Sequence, residues 1–146
     1  MRVILFRGKR TDNGEWAYGV PTKDNHGEMV MVESTFECEE YNCCGANCLY
    51  VDENTVGQYT GLTDKNGTKI FEGDIVKRKY TLWHGETKKT RETQIGVVSY
   101  SNKDCGFCLD KVCNLRKPWD GDTLKIIGNI HDSPEKLKIG ATAAKF

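Results

Sequence analysis

Short apolar runs separated by turn residues recur along this chain of 146 residues. Compact or alternating apolar runs of about four to eight residues are typical of β-strands, whereas an amphipathic helix repeats near every 3.6 residues. Such runs occur as MVMV at 29–32, GVVSY at 96–100, FCLDKV at 107–112 and LKIIGNI at 124–130. Because residues that favour turns separate the runs, the pattern predicts a mainly β chain of short antiparallel strands.

Three turns stand out, at 12–14 (Asp-Asn-Gly), 65–67 (Lys-Asn-Gly) and 72–74 (Glu-Gly-Asp). Asn and Gly tolerate the positive φ values of tight hairpin turns. A Gly-Asp step before an alternating strand is common at the start of small SH3-like barrels. We therefore expect a small barrel or sandwich with an SH3-like portion. The residues expected in its core are Ile75, Val97 and Ile127.

Two stretches lack a clear period. Residues 36–50 hold four cysteines and three acids and predict an irregular loop, while 81–94 predict a long hairpin loop or an exposed edge strand. Near the end, the Ser-Pro-Glu step at 133–135 suits the cap and first turn of a short C-terminal helix.

A chain of this length fits one domain, which we take to be 1–146. Within it we distinguish an N-terminal β subregion at 1–50, a barrel-like subregion at 51–135 and a loosely held tail at 136–146.

Three passages together resemble one known family. They are FRGKRTDNGEWAYG at 6–19, VGQYTGLTDKNGTKIFEGDIV at 56–76 and IGNIHDSPE at 127–135. In this combination and order the chain is similar to the YopX family of phage and prophage proteins. The resemblance implies a phage or prophage origin and a mainly β fold with a barrel-like portion, and it implies no reaction.

The charge is balanced overall but unevenly distributed. Lys plus Arg and Asp plus Glu both total 21, yet 24–64 holds nine acidic residues and no Lys or Arg. The sequence has no run as long as a membrane span or a signal peptide, so we expect the cytoplasm of the host cell and no membrane partner. There its seven cysteines would be reduced.

The cysteines do not follow a zinc template. They occupy two stretches, Cys38 to Cys48 and Cys105 to Cys113, and only Cys105 and Cys108 have the spacing of a ligand pair. We expect no metal and no cofactor, although the spacing leaves metal binding by either stretch open. The histidines are scattered along the chain, so no catalytic residue is predicted. The 64–67 turn lacks the closing Glu of a calcium loop and is predicted to be a turn only.

One stretch mixes basic and aromatic residues in the pattern of a single-stranded nucleic-acid site. Basic groups neutralise phosphates while aromatic rings stack on bases. On an exposed hairpin, Lys and Arg also keep edge strands from pairing with other chains. The candidate binding residues are Lys77, Arg78, Lys79, Tyr80, Trp83, Lys88, Lys89 and Arg91.

The sequence therefore favours a phage accessory protein that acts as a non-enzymatic macromolecule-binding module, with a host or phage protein as the favoured partner. Single-stranded nucleic acid, bound through 77–91, is the alternative, and an enzyme is the weakest hypothesis because the sequence lacks a nucleophile or phosphate-binding motif. The opposite charges of 24–64 and 77–91 also allow self-association into a homo-oligomer.

Overall fold

The computed structural model describes residues 3–33, 47–110, 113–115 and 123–138. These residues form eleven strands in two antiparallel sheets, together with one short 3-10 turn at Glu53–Thr55. The predicted mainly β fold is confirmed. By its internal contacts the chain divides into two compact units, Met1–Tyr59 and Thr60–Phe146.

The first unit is built on antiparallel pairing around strand β2. Its strands are β1 (Phe6–Lys9), β2 (Trp16–Lys23), β3 (Met29–Glu33), β4 (Asn47–Tyr50) and the first part of β5 (Gly57–Thr63). They pair in the order β4-β3-β2-β1-β5. Successive residues of a strand point to opposite faces, so Met29 and Met31 reach the same core. There they pack with Ala17 and Val51.

The second unit contains most of the predicted barrel-like subregion. Its strands are β6 (Lys69–Phe71), β7 (Asp74–His84), β8 (Lys88–Ser101), β9 (Gly106–Leu109), β10 (Cys113–Asn114) and β11 (Thr123–Asn129). The last five form a sheet in the order β10-β9-β8-β7-β11. Among the described strands this sheet keeps two ends, so the unit is sandwich-like and not a closed barrel. Its core consists of Ile70, Val76, Val98, Leu109 and Leu124.

The predicted turns lie where the sequence puts them. Gly14 between β1 and β2, Gly67 between β5 and β6, and Gly73 between β6 and β7 all have positive φ values, at 72°, 82° and 83°. Only glycine adopts this conformation without steric cost. Residues 136–138 form the helical turn expected near the end.

The prediction of core residues is right for Ile75 and wrong for Val97 and Ile127. Ile75 is fully buried, whereas Val97 and Ile127 are only half-buried. Val98 and Leu124 occupy the core instead. Ile127 lies at an irregularity in β11, where the pairing register with β7 shifts. An alternating pattern cannot locate such a shift, because both faces of the strand carry apolar residues.

Two further predictions meet the structure only in part. Residues 47–50 belong to strand β4, so the prediction of an irregular loop over 36–50 is wrong there, and 36–46 lie outside the described residues. Residues 81–94 are mostly strand, as the edge-strand alternative expects. Of the predicted tail, 139–146 also lie outside the described ranges. No helix within those ranges is long and apolar enough to cross a membrane.

Candidate functional site

Strands β7 and β8 form a long ribbon whose outer part extends beyond its neighbours. Their register is continuous from Ile75 opposite Val97 to His84 opposite Lys88. Strand β11 pairs with β7 only as far as Lys79, and β9 pairs with the other end of β8. Among the described residues, 80–84 and 88–92 therefore pair only with each other. We call residues 80–92 the arm.

Alternation along the ribbon separates its charges. Paired residues of an antiparallel ladder project to the same side, and successive residues to opposite sides. One side, which we call the basic face, has no acidic residue at its described positions from 77 outward. These positions are Lys77, Lys79, Thr81, Lys89, Arg91, Thr93 and Ile95 on the ribbon, with Thr123 and Lys125 on β11.

The opposite side of the ribbon is of mixed character. The Arg78 guanidinium carbon lies 5.2 Å from the centroid of the Tyr80 ring, a cation–π contact. His84 Nε2 lies 2.9 Å from Thr90 Oγ1, within hydrogen-bond distance. The only acid among the described strand residues of this side of the arm is Glu92. Phosphate contacts on the basic face and stacking on Tyr80 would thus use opposite surfaces.

The structure brings four of the eight predicted residues together on the basic face: Lys77, Lys79, Lys89 and Arg91. Arg78 and Tyr80 lie on the opposite face. Trp83 and Lys88 are paired with Lys89 and His84 in the backbone register, and their side chains lie outside the description.

Sequence reasoning missed Lys125. This residue is directly opposite Lys77 in the β7–β11 register. It is remote from the basic stretch along the chain, and nothing in the sequence pairs the two strands. The alternation of Lys125 with apolar neighbours in LKIIGNI is the one available signal, since it marks an outward-facing position.

The loop that carries Asp64 is a turn, as the sequence predicts. Asp64 Oδ1 accepts the N–H groups of Asn66 and Thr68 at 2.8 and 3.0 Å, and Oδ2 accepts that of Ile126 at 3.3 Å. Burial by itself would raise the pKa of Asp64, but these three N–H groups outweigh it and hold the pKa below its ordinary value. The carboxylate connects the turn to strand β11.

The described cysteines do not share one environment. Cys105 is exposed in a turn, with Sγ 3.5 Å from the Asn102 carbonyl, while Cys108 is buried with Sγ 3.5 Å from the Ser99 carbonyl. Cys48 is exposed on β4. Within the described ranges no group of three His, Cys, Asp or Glu side chains could hold a metal ion. Residues 38–46, with the other cysteines of the first stretch, lie outside those ranges.

Comparison with known proteins identifies the family. The model of the family described as YopX protein matches residues 5–138. This chain belongs to the YopX family. No curated protein matches it. The structure is similar to the crystal structure of protein EF1440 from Enterococcus faecalis, with a TM-score of 0.52 and 23% sequence identity over 94% of this chain and 99% of that one. At this identity the likeness supports the fold alone.

In this YopX protein the three sequence passages that resemble the family contain turns. In the passage at 127–135, Asn129 Oδ1 accepts the N–H groups of His131 and Asp132 at 3.0 and 2.9 Å. Lys136 then donates from Nζ to the Ile127 carbonyl at 2.6 Å, at the irregularity of β11. The arm lies between these passages, so the family resemblance itself says nothing about its role.

Proposed function

We propose that this YopX-family protein is a non-enzymatic binding module that contacts the phosphate backbone of nucleic acid through its basic face. The supporting observation is the direct cross-strand pair of Lys77 and Lys125 on a face without described acids. Like charges directly opposite each other in a sheet are destabilising. An anionic ligand on this face would remove that repulsion. As part of the proposal, the module acts in the cytoplasm of a phage-carrying host.

The dimensions of the basic face suit an extended polyanion. From Lys77 to the level of Lys89 the ribbon advances six residues, or about 20 Å at the usual rise of a strand. Lys79 and Arg91 lie between these ends and are exposed. Such contacts to phosphates position a nucleic acid without reading its bases. The proposed binding is therefore independent of sequence.

A preference for single strands would depend on Trp83. Tyr80 projects away from the basic face, and base stacking on an aromatic ring contributes about 1 to 3 kcal/mol per base. We therefore expect Trp83→Ala to weaken binding to a single strand by an amount in this range and to leave duplex binding nearly unchanged. A loss of equal size on both would indicate that Trp83 supports the hairpin and does not stack.

The proposal is tested by fluorescence anisotropy with a labelled 20-nucleotide single strand and its duplex, over a series of salt concentrations. If the five cations of the basic face each neutralise one phosphate, the slope of log K against log salt should be about −3.5 for the single strand. The double variant Lys79→Gln/Arg91→Gln should weaken binding and reduce the magnitude of this slope by about 1.4.

The matched control is Lys69→Gln/Lys103→Gln, which makes the same change in net charge at two exposed residues away from the arm. This control should keep the slope of the unsubstituted protein. Equal losses in the two double variants would show that only net charge matters. If neither nucleic acid binds at low salt, the proposal fails, and a protein partner, the favoured partner in the sequence analysis, becomes the better hypothesis.

A further inference from the structure

The first unit contains a groove of about 530 Å³. It lies between the turn at 24–28 and the segment that leads from β4 into the 3-10 turn. Met29, Tyr50 and Val51 contribute its less polar lining, and Glu28 and Glu53 its acidic lining. At this volume the groove has room for several side chains.

The charge near the groove is predominantly negative. Beside it, the Tyr50 hydroxyl donates to Asp24 Oδ2 at 3.2 Å. The N–H groups of Glu28 and His26 lower the pKa of Asp24, so this carboxylate is ionised at neutral pH. Glu53 lies 3.2 Å from Lys23, but both side chains are more than half exposed, and such a pair is largely screened by solvent.

We propose that this groove receives the arm of a second copy of the chain. The arm and its base supply what the groove lacks. Arg91 is an exposed cation on the basic face of the arm, and Lys79 is an exposed cation on the same face next to its base. Leu82 is an exposed apolar side chain on the opposite face of the arm. A two-stranded ribbon inserted into a groove presents both faces at once. The cations then meet the carboxylates, and the leucine meets the apolar lining.

The contact is of the head-to-tail type. Each copy has one arm and one groove, formed by different residues, so the association generates rings or open chains and does not require a two-fold axis. The proposal shares the basic face with the proposed nucleic-acid site. It is nevertheless tested without nucleic acid, so either proposal can fail while the other holds.

The decisive experiment mixes two charge-reversed chains. The variant Lys79→Glu/Arg91→Glu has a defective arm and an intact groove, and Glu28→Lys/Glu53→Lys has the reverse. In sedimentation at low salt the unsubstituted protein should form species whose mass grows with concentration. Each variant alone should be a monomer, and the equimolar mixture should form heterodimers or longer mixed species. Raising the salt should dissociate all of them.

The control variant is Asp104→Asn/Glu135→Gln, which neutralises two exposed acids outside both the arm and the groove and should still self-associate. Circular dichroism of each variant confirms that it is folded before it is mixed. A monomeric unsubstituted protein at about 100 µM in low salt would overturn the proposal, because electrostatic attraction is strongest under that condition. A mixture that stays monomeric, or an association unaffected by salt, would overturn it as well.

Discussion

Two hairpin turns in this protein have the same hydrogen bonds and different surroundings. The turns are Asp-Asn-His-Gly-Glu at 24–28 and Asp-Lys-Asn-Gly-Thr at 64–68. In each, the aspartate Oδ1 accepts the N–H groups two and four residues later, at 2.8 and 2.9 Å in the first and 2.8 and 3.0 Å in the second. The aspartate N–H donates to the carbonyl of the fifth residue, at 3.0 and 2.8 Å.

The two turns differ in what the second carboxylate oxygen contacts. Oδ2 of Asp64 accepts the backbone N–H of Ile126 on strand β11, and the carboxylate is 7% exposed. Oδ2 of Asp24 accepts the hydroxyl of Tyr50, and both side chains are in contact with solvent. The local sequence thus determines the shape of the turn, whereas the surrounding strands determine how much its loss costs.

The largest expected effect is the difference in stability loss when each of the two aspartates is replaced by alanine. Asp64→Ala removes the acceptor of three backbone N–H groups at a buried site, and hydrogen bonds to a charged group contribute about 1.5 to 3 kcal/mol to stability. We therefore expect Asp64→Ala to lower the free energy of unfolding by about 2 to 3 kcal/mol. Asp24→Ala should cost clearly less, because water replaces the lost acceptor.

Thermal and urea unfolding followed by circular dichroism measure this difference. Hydrogen exchange adds a local readout, since the amides of Asn66 and Thr68 lose their acceptor in one variant, and those of His26 and Glu28 in the other. If the two alanine variants were equally destabilised, burial would not be what distinguishes the turns.

A smaller effect, expected to be equal in the two turns, comes from their glycines. Gly27 and Gly67 have φ values of 83° and 82°, and an added Cβ would meet nothing within 4 Å at either position. The left-handed conformation alone penalises alanine, by about 1 kcal/mol after the gain from a less flexible unfolded chain. We expect Gly27→Ala and Gly67→Ala to lower the unfolding free energy by similar amounts of this size.

The control for the glycine pair is Gly19→Ala, where the new Cβ would lie 2.1 Å from the carbonyl oxygen of Val32. That substitution forces a backbone shift and should destabilise the protein far more than either turn variant. A larger loss for Gly67→Ala than for Gly27→Ala would show that the turn with the buried aspartate resists local adjustment.

The same contrast between local and tertiary effects explains what the sequence could predict. The turns that hold Gly14 and Gly67 follow from nearest neighbours along the chain, and so do the apolar strands that they join. The core position of Val98 in place of Val97 depends on the pairing of β8 with β9. Lys125 becomes part of the candidate site only through the pairing of β11 with β7. The pairing of β11 with β7 joins segments that are distant in the sequence and have no local signal for each other.

The smallest expected effect is the dependence of stability on pH. Acid removes only the part of each turn's stabilisation that depends on an ionised carboxylate. The pKa of Asp64 is held below its ordinary value of 3.8, the value that applies in the unfolded chain. Its contribution to stability is therefore fully present above that pH and is lost as the pH falls through the lower pKa of the folded state. Asn in its place keeps one oxygen acceptor but has no charge to lose.

We accordingly expect the difference in unfolding free energy between the unsubstituted protein and Asp64→Asn to be largest near pH 6 and to shrink toward pH 3. The same trend should follow for Asp24→Asn with a smaller amplitude, since the pKa of Asp24 is lowered by the N–H groups of its own turn and by an exposed tyrosine. Urea unfolding of the three proteins at several pH values measures both trends. A difference that stays constant with pH would mean that Asp64 acts through the shape of its side chain and that its charge contributes nothing. The two turns would then differ only in packing.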